Sequence, residues 1–214
     1  MMRVCLIPMK PLAAAKARLA PALDAAERRR LSLAMLTDVV TAAIGFDRVW
    51  VLQSDDDAAA VATAGGAEPH PDPAPGGGLN ASLDAATVTA VRAGASGVLV
   101  VAADVAAVTH ADLEAVAGGP GVALAPDRSG SGTNVLWRSP GDAIAASFGG
   151  ASHAAHQAAA AAAAVSFRSV DSPRLAADVD TPDALAAIWA LGPGPATRRA
   201  LEEMGIAARM RLAG

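Results

Sequence analysis

A chain of 214 residues with 53% hydrophobic content can bury one substantial core, and no composition break marks a boundary, so residues 1–214 are expected to form a single domain. A formal net charge of −4 and 3% aromatic residues exclude the usual nucleic-acid binder, which needs a basic face and rings for bases to stack on. One cysteine, Cys5, excludes an intrachain disulfide, and no apolar run approaches the roughly 20 residues that cross a bilayer, so a soluble cytoplasmic protein without a membrane partner, monomer or homodimer, is expected.

The first predicted strand covers 3–8, and a basic loop follows it through Pro21. Pro8, Lys10 and Pro11 interrupt this apolar stretch, which therefore does not read as a signal peptide. Asp24 opens a long helix, with Glu27 placed to complete a capping box. Its apolar face reads Leu31, Met35 and Val39 beside Leu36, Val40 and Ile44. A second strand covers 48–53. The helix after it starts at Asp55-Asp56-Asp57 and stops at Gly65-Gly66. The Pro/Gly-rich stretch 69–78 reads as a loop. A helix over 79–93, a strand over 98–103 and a helix over 109–117 come next, then strands over 122–125 and 133–138. The alanine-rich segment 152–164 is helical by propensity, and 165–170 is a strand. Thr181-Pro182-Asp183 starts another helix with a capping residue and a first-position proline, and 195–204 forms a last short one. This alternation predicts a three-layer α/β/α sandwich with a mainly parallel sheet, whose ligands bind at the C-terminal strand ends.

Three carboxylates stand out. Asp104 follows the apolar run 98–103 and is expected at the tip of that strand. Asp178 and Asp180 flank Val179, so in an extended chain their side chains share a face. Hard oxygen donors without a cysteine partner suit Mg²⁺ rather than zinc, and His153 and His156 lack the soft partners zinc needs. Lys10, Lys16 and Arg18 supply cations beside the first strand, which suits a polyphosphate. Lys10 and Lys16, with Asp104, are therefore expected to bind a nucleotide. Asn80, an amide with both donor and acceptor, is a candidate base or ribose contact. Gly76-Gly77-Gly78 lacks the lysine and hydroxyl of a Walker loop, and no G-x-G-x-x-G follows the first strand.

Five stretches carry a family resemblance, in order along almost the whole chain. They are Ile7-Pro8-Met9-Lys10-Pro11-Leu12-Ala13-Ala14-Ala15-Lys16-Ala17-Arg18-Leu19-Ala20-Pro21, Gly78-Leu79-Asn80-Ala81-Ser82-Leu83, Ala125-Pro126-Asp127-Arg128 with Gly132-Thr133-Asn134, Phe148-Gly149, and Asp178-Val179-Asp180-Thr181-Pro182. Together they resemble the phosphoenolpyruvate or 2-phospho-L-lactate guanylyltransferases of deazaflavin coenzyme F-420 biosynthesis. The resemblance implies a Rossmann-like nucleotidyltransferase fold of the nucleotide-diphospho-sugar transferase type. It implies transfer of GMP from GTP to the phosphate of a three-carbon acid, with release of pyrophosphate. It places metal ligands at Asp104, Asp178 and Asp180, and the acid's phosphate and carboxylate at Thr133, Gly149 and Ser152. The family usually has proline where this chain has Ala106, and arginine where it has Ala155.

The chemistry needs no general base, because the attacking phosphate oxygen is already anionic. It needs positive charge: unit charges 4 Å apart repel by about 4 kcal/mol at an effective dielectric near 20. Lys10, Lys16, Arg18 and Mg²⁺ are the groups expected to offset that repulsion. Plainer readings remain open at this level. The aspartates are also good turn and capping residues, the basic loop can be a solvated surface, and Ser152 can be a helix cap. Another nucleotidyltransferase of the same fold, acting on a molybdopterin or sugar phosphate, and a catalytically weak nucleotide-binding paralogue both fit the same residues.

Overall fold

The computed structural model describes residues 1–12 and 16–211; Ala13, Ala14 and Ala15 of the basic loop lie outside the described residues. Strand β1 (Met2–Pro8) is the axis of the fold, with Val4, Cys5, Leu6 and Ile7 all fully buried. It pairs in parallel with β2 (Arg48–Gln53) on one side and β4 (Ala95–Val101) on the other. The sheet continues outward through β3 (Glu68–Pro71) beyond β2. Beyond β4 lie β6 (Val135–Ser139), β5 (Gly121–Ala125) and β7 (Phe167–Ser169), in that order. Among the described strands only β6 runs antiparallel, against β4 and β5. The sheet is therefore mainly parallel, as the alternating elements predict.

Helices α1 (Ala25–Ala43), α2 (Asp56–Ala64) and α4 (His110–Val116) cover one face, and α3 (Gly78–Arg92) and α5 (Ser152–Ala162) cover the other. Each sheet face carries its own core, with Val51, Leu99 and Trp137 on the first side and Leu6, Val100 and Leu136 on the second. A third cluster joins α6 (Pro182–Leu191) and α7 (Pro195–Glu203) to α1 through Leu31, Met35, Leu185, Ile188 and Leu201. Asp38 of α1 locks this layer in place. Its carboxylate accepts the backbone N–H groups of Ala196 and Thr197 at 2.9 and 2.8 Å, which caps α7 from outside.

Several expected boundaries shift for identifiable reasons. The capping box at Asp24 and Glu27 is present and α1 starts as expected, but Ile44, counted with its apolar face, is 45% exposed because the chain turns extended there. Residues 68–71, read mostly as loop, form the edge strand β3. Its two prolines are tolerated because it pairs with β2 alone. Strand β4 ends at Val101, where its pairing with β6 ends, so Ala102 and Ala103 belong to the following turn despite their apolarity. Strand β6 begins at Val135 rather than Thr133. Helix α5 stops at Ala162. Ala164 takes a left-handed φ of 53°, and Val165 N–H and Ala164 N–H return to the carbonyls of Ala160 and Ala161. A final helix α8 (Ile206–Arg211) follows the expected last one. Among the described residues, no helix is long and apolar enough to cross a membrane.

Candidate active site

The strand order reverses between β1 and β4, where a doubly wound sheet opens a crevice at its C-terminal edge. Three segments meet there: the basic loop after β1, the turn after β4, and the loop 170–181, which returns from β7 at the far edge. Lys16 stands in the left-handed region at φ 57°, just before a 3₁₀ turn, Ala17–Leu19. Its ammonium is bound by Asp104 and, at 2.9 Å, by Oδ1 of Asp180. Burial pulls the Lys16 pKa down, but Asp104 and Asp180 outweigh it and hold it above the ordinary lysine value.

Asp104 lies in the turn beyond β4, not at the strand tip that the sequence suggests. Asp178 and Asp180 do flank a buried Val179, which packs into the third core cluster, so the alternation predicted for this segment holds. Burial and the negative charge of Asp104 raise the Asp178 carboxyl above its usual range, against an opposing hydrogen bond from Asn134 at 3.4 Å. Asp180 goes the other way. Burial would raise it, but Lys16, with Lys10 and Arg18 adding positive charge, holds it below the usual range. All three cations named from the sequence therefore act on one carboxylate. The three aspartates do not form a preassembled metal cage: among the described residues no group of three or more His, Cys, Asp or Glu is placed to hold an ion. The Lys16 ammonium instead binds two of the three carboxylates.

The second half of the site forms around α5. Thr133, 8% exposed, and Ser152, 2% exposed, meet through their hydroxyls, with Ser152 Oγ donating to Thr133 Oγ1 at 3.0 Å. Ser152 is the first residue of α5 and spends its hydroxyl on Thr133. The capping position is Ala151, without a side-chain cap, so Ser152 is not the ordinary helix cap. Gly149 has φ 153°, and a Cβ built there would meet nothing within 4 Å, so the backbone in front of it is open to a ligand. Its neighbour Phe148 is pinned on both sides by Asn80, whose Nδ2 donates to Phe148 O at 3.1 Å and whose Oδ1 accepts Phe148 N–H at 2.7 Å. Asn80 thereby fixes the loop that carries Gly149.

Two residues escaped the sequence reading as site residues. Asn134 donates to Leu175 O at 2.9 Å as well as to Asp178, and so fastens the returning loop to the start of β6. His156, fully buried one turn after Ser152, faces Thr133 Oγ1 from Nδ1 at 3.3 Å and accepts Ser147 N–H at Nε2 at 3.0 Å. The signal for both was present: Asn134 adjoins Thr133 in the Gly-Thr-Asn stretch, and Ser152 and His156 share a helix face at i and i+4.

A family model described as "Guanylyl transferase CofC like" matches residues 2–213. The chain is 40% identical over 191 residues to a protein from Conexibacter woesei named phosphoenolpyruvate guanylyltransferase, a match covering 86% of this chain and 85% of that one. A protein of the same name from Sphaerobacter thermophilus is 39% identical over 188 residues, covering 85% and 90% of the two chains. Among solved structures, a protein assigned as a nucleotide-diphospho-sugar transferase from Desulfovibrio desulfuricans G20 superposes with a TM-score of 0.76. It covers 99% of this chain and 98% of its own, at 15% identity. At that identity the likeness establishes the nucleotide-diphospho-sugar transferase fold and nothing finer.

Proposed function

The chain belongs to the CofC-like guanylyl transferase family, and on that premise we propose that it transfers GMP from GTP to the phosphate of phosphoenolpyruvate, or of its close relative 2-phospho-L-lactate, with release of pyrophosphate, in coenzyme F-420 biosynthesis. The observation that carries this reading is the union of two subsites through adjacent residues. Thr133 belongs to the hydroxyl pocket at α5, and Asn134 holds Asp178 of the carboxylate and lysine cluster. An anionic acid seated on one would lie beside a triphosphate seated on the other.

In this reading Lys10, Lys16 and Arg18 draw the triphosphate in and lower the repulsion between the two anionic substrates. Thr133, Gly149 and Ser152 hold the acid with a hydroxyl proton and open backbone, at a helix N-terminus that favours anions. The attacking oxygen needs no base, in keeping with a pocket whose one buried histidine is fully engaged. The donor set of Asp104, Asp178 and Asp180 is all oxygen and suits Mg²⁺, which they would hold once Lys16 turns to phosphate. When bound, Mg²⁺ would supply charge neutralisation at the α-phosphate and at the leaving pyrophosphate. GTP and a phosphorylated acid are membrane-impermeant anions, which is the ground for assigning the activity to the cytoplasm.

The test is a pyrophosphate-release matrix in Mg²⁺, crossing GTP, ATP, CTP and UTP with phosphoenolpyruvate, 2-phospho-L-lactate and 3-phosphoglycerate. Release is expected with GTP and phosphoenolpyruvate or 2-phospho-L-lactate. No release with GTP and any of the acids refutes the reading.

A further inference from the structure

His156 takes no part in the chemistry above, yet its surroundings fix its proton. Backbone N–H groups can only donate, so the Ser147 N–H at 3.0 Å requires a lone pair on Nε2. Burial first, then the positive charges of Arg138 and His153, lower the imidazole from 6.5 to about 4, which keeps it neutral. The single ring proton therefore sits on Nδ1 and points at Thr133 Oγ1, 3.3 Å away. Ser152 Oγ donates to the same oxygen at 3.0 Å. Two donors occupy both lone pairs of the Thr133 hydroxyl, and its own proton remains to be given away.

The other tautomer would reverse the outcome. With the lone pair on Nδ1, Thr133 would donate to His156, and Ser152 to Thr133. The pocket would then present only hydroxyl lone pairs to an arriving anion, a repulsive arrangement. The choice between the two states is made by the backbone of Ser147. That backbone is itself held in place. Phe148 packs its ring edge-on against His156, with centroids 5.3 Å apart, and Asn80 pins Phe148 on both sides. Arg138, fully buried on β6, binds Ile144 O at 2.9 Å and so anchors the start of the same segment.

We infer that His156 is a positioning residue for the acid substrate: its Nδ1–H commits the Thr133 hydroxyl proton to an anionic oxygen in the pocket formed by Thr133, Gly149 and Ser152. The inference rests on the acid-binding reading of those three residues. It adds a residue that touches no substrate and that governs acid affinity without touching the nucleotide.

Two measurements decide it. Nitrogen-15 NMR of histidine-labelled protein, with His156 assigned by its loss in His156→Asn, should show a neutral imidazole protonated on Nδ1, unchanged on acidification to about pH 5.5. A dominant Nε2–H pattern, or titration near the ordinary histidine value, overturns the inference. In steady-state kinetics, His156→Leu should raise the KM for phosphoenolpyruvate about 10- to 100-fold, the range for one hydrogen bond to a charged group, and leave the KM for GTP within about twofold. His156→Asn, whose amide carries an N–H near the Nδ1 position, should recover most of that loss. The double variant Thr133→Val with His156→Leu should be no worse than Thr133→Val alone, because both remove the same proton. Equal acid KM values for the leucine and asparagine variants, additive effects in the double variant, or parallel rises in both substrates' KM values would mark His156 as a packing residue and sink the inference. Failure of the wild-type protein to release pyrophosphate with any acid is a separate result. It removes the functional reading and the substrate assigned here, while the tautomer measurement still reports on the Thr133 contact.

Discussion

Replacing Lys16 by methionine should move two affinities in opposite directions. The Lys16 side chain is 9% exposed and bridges Asp104 and Asp180, which are 25% and 46% exposed. Unit charges at this range attract by about 4 kcal/mol at an effective dielectric near 20. The exposure of Asp180 and the cost of desolvating the ammonium offset most of that, leaving roughly 1–2 kcal/mol for the pair of contacts. A divalent cation that uses Asp104 and Asp180 must first displace the lysine, so Lys16→Met should tighten Mg²⁺ binding to the nucleotide-free protein by about 5- to 30-fold. The same substitution should weaken GTP binding by about tenfold or more, because a charge-assisted phosphate contact is lost. The assay is thermal unfolding against MgCl₂ without nucleotide, at matched ionic strength set with NaCl. Stabilisation follows RT ln(1 + [L]/Kd), so a tenfold gain in affinity adds up to about 1.4 kcal/mol at saturating metal. In a chain of this size that raises the midpoint by about 3–6 °C more than in the wild type. If the methionine variant gains no more from Mg²⁺ than the parent, Lys16 does not compete with metal, and the reading of Asp104 and Asp180 as its ligands fails.

Three further outcomes can be measured. Asp38→Ala removes the external cap of α7 and leaves one buried and one partly buried N–H group without an acceptor; it should cost about 2–3 kcal/mol and lower the melting midpoint by about 4–10 °C, and a change within 1 °C or so would contradict the locking role. Ala164→Gly relieves an exposed alanine held at a left-handed φ and should raise stability by about 1 kcal/mol in denaturant titration. Ala155→Arg adds a guanidinium on the exposed side of α5, three residues after Ser152, where a long side chain leans back toward the helix start; the acid KM should fall at least several-fold with the GTP KM unchanged.

What the sequence could reveal depended on where each interaction lies along the chain. Strand β2 was legible to the residue because its apolar run coincides with its pairing, and α1 because Asp24 and Glu27 spell out a local cap. Where apolarity and hydrogen bonding part company, the reading overran. Ala102 and Ala103 look like strand, but the ladder to β6 ends at Val101, and only the Ala102 N–H continues it, to Asn134 O at 2.9 Å. The end of α5 was hidden because Ala164, not glycine, takes the left-handed turn, and β3 because prolines disguise an edge strand. In the site, the same-face spacing of Asp178 and Asp180 is local and was visible. The bridge from Lys16 to Asp180 spans 164 positions and the bond from Asn134 to Asp178 spans 44, so no local pattern announces them. The bonds from Asn80 to the Phe148 backbone span 68 positions and are equally unannounced.

The one reversed strand explains how both subsites reach a single edge. In a wholly parallel sheet every strand would deliver only its C-terminal loop to the crevice. Because β6 runs the other way, its beginning lies there, and Thr133 and Asn134 arrive immediately before Val135. The reversal also constrains the next stretch of chain, which leaves β6 at the opposite edge of the sheet and must climb back before α5 can start beside Thr133. Residues 140–151 make that climb, anchored by Arg138 at Ile144, by Asp84 at the Ala146 N–H, and by Asn80 at Phe148. The return segment therefore brings Ser147, Gly149 and the start of α5 to the place where the loop after β5 ends. The pocket of Thr133, Gly149 and Ser152, built from two such segments, is only as well ordered as the return path. That accounts for a buried arginine and two side chains of α3 fixing a stretch that has no regular secondary structure of its own.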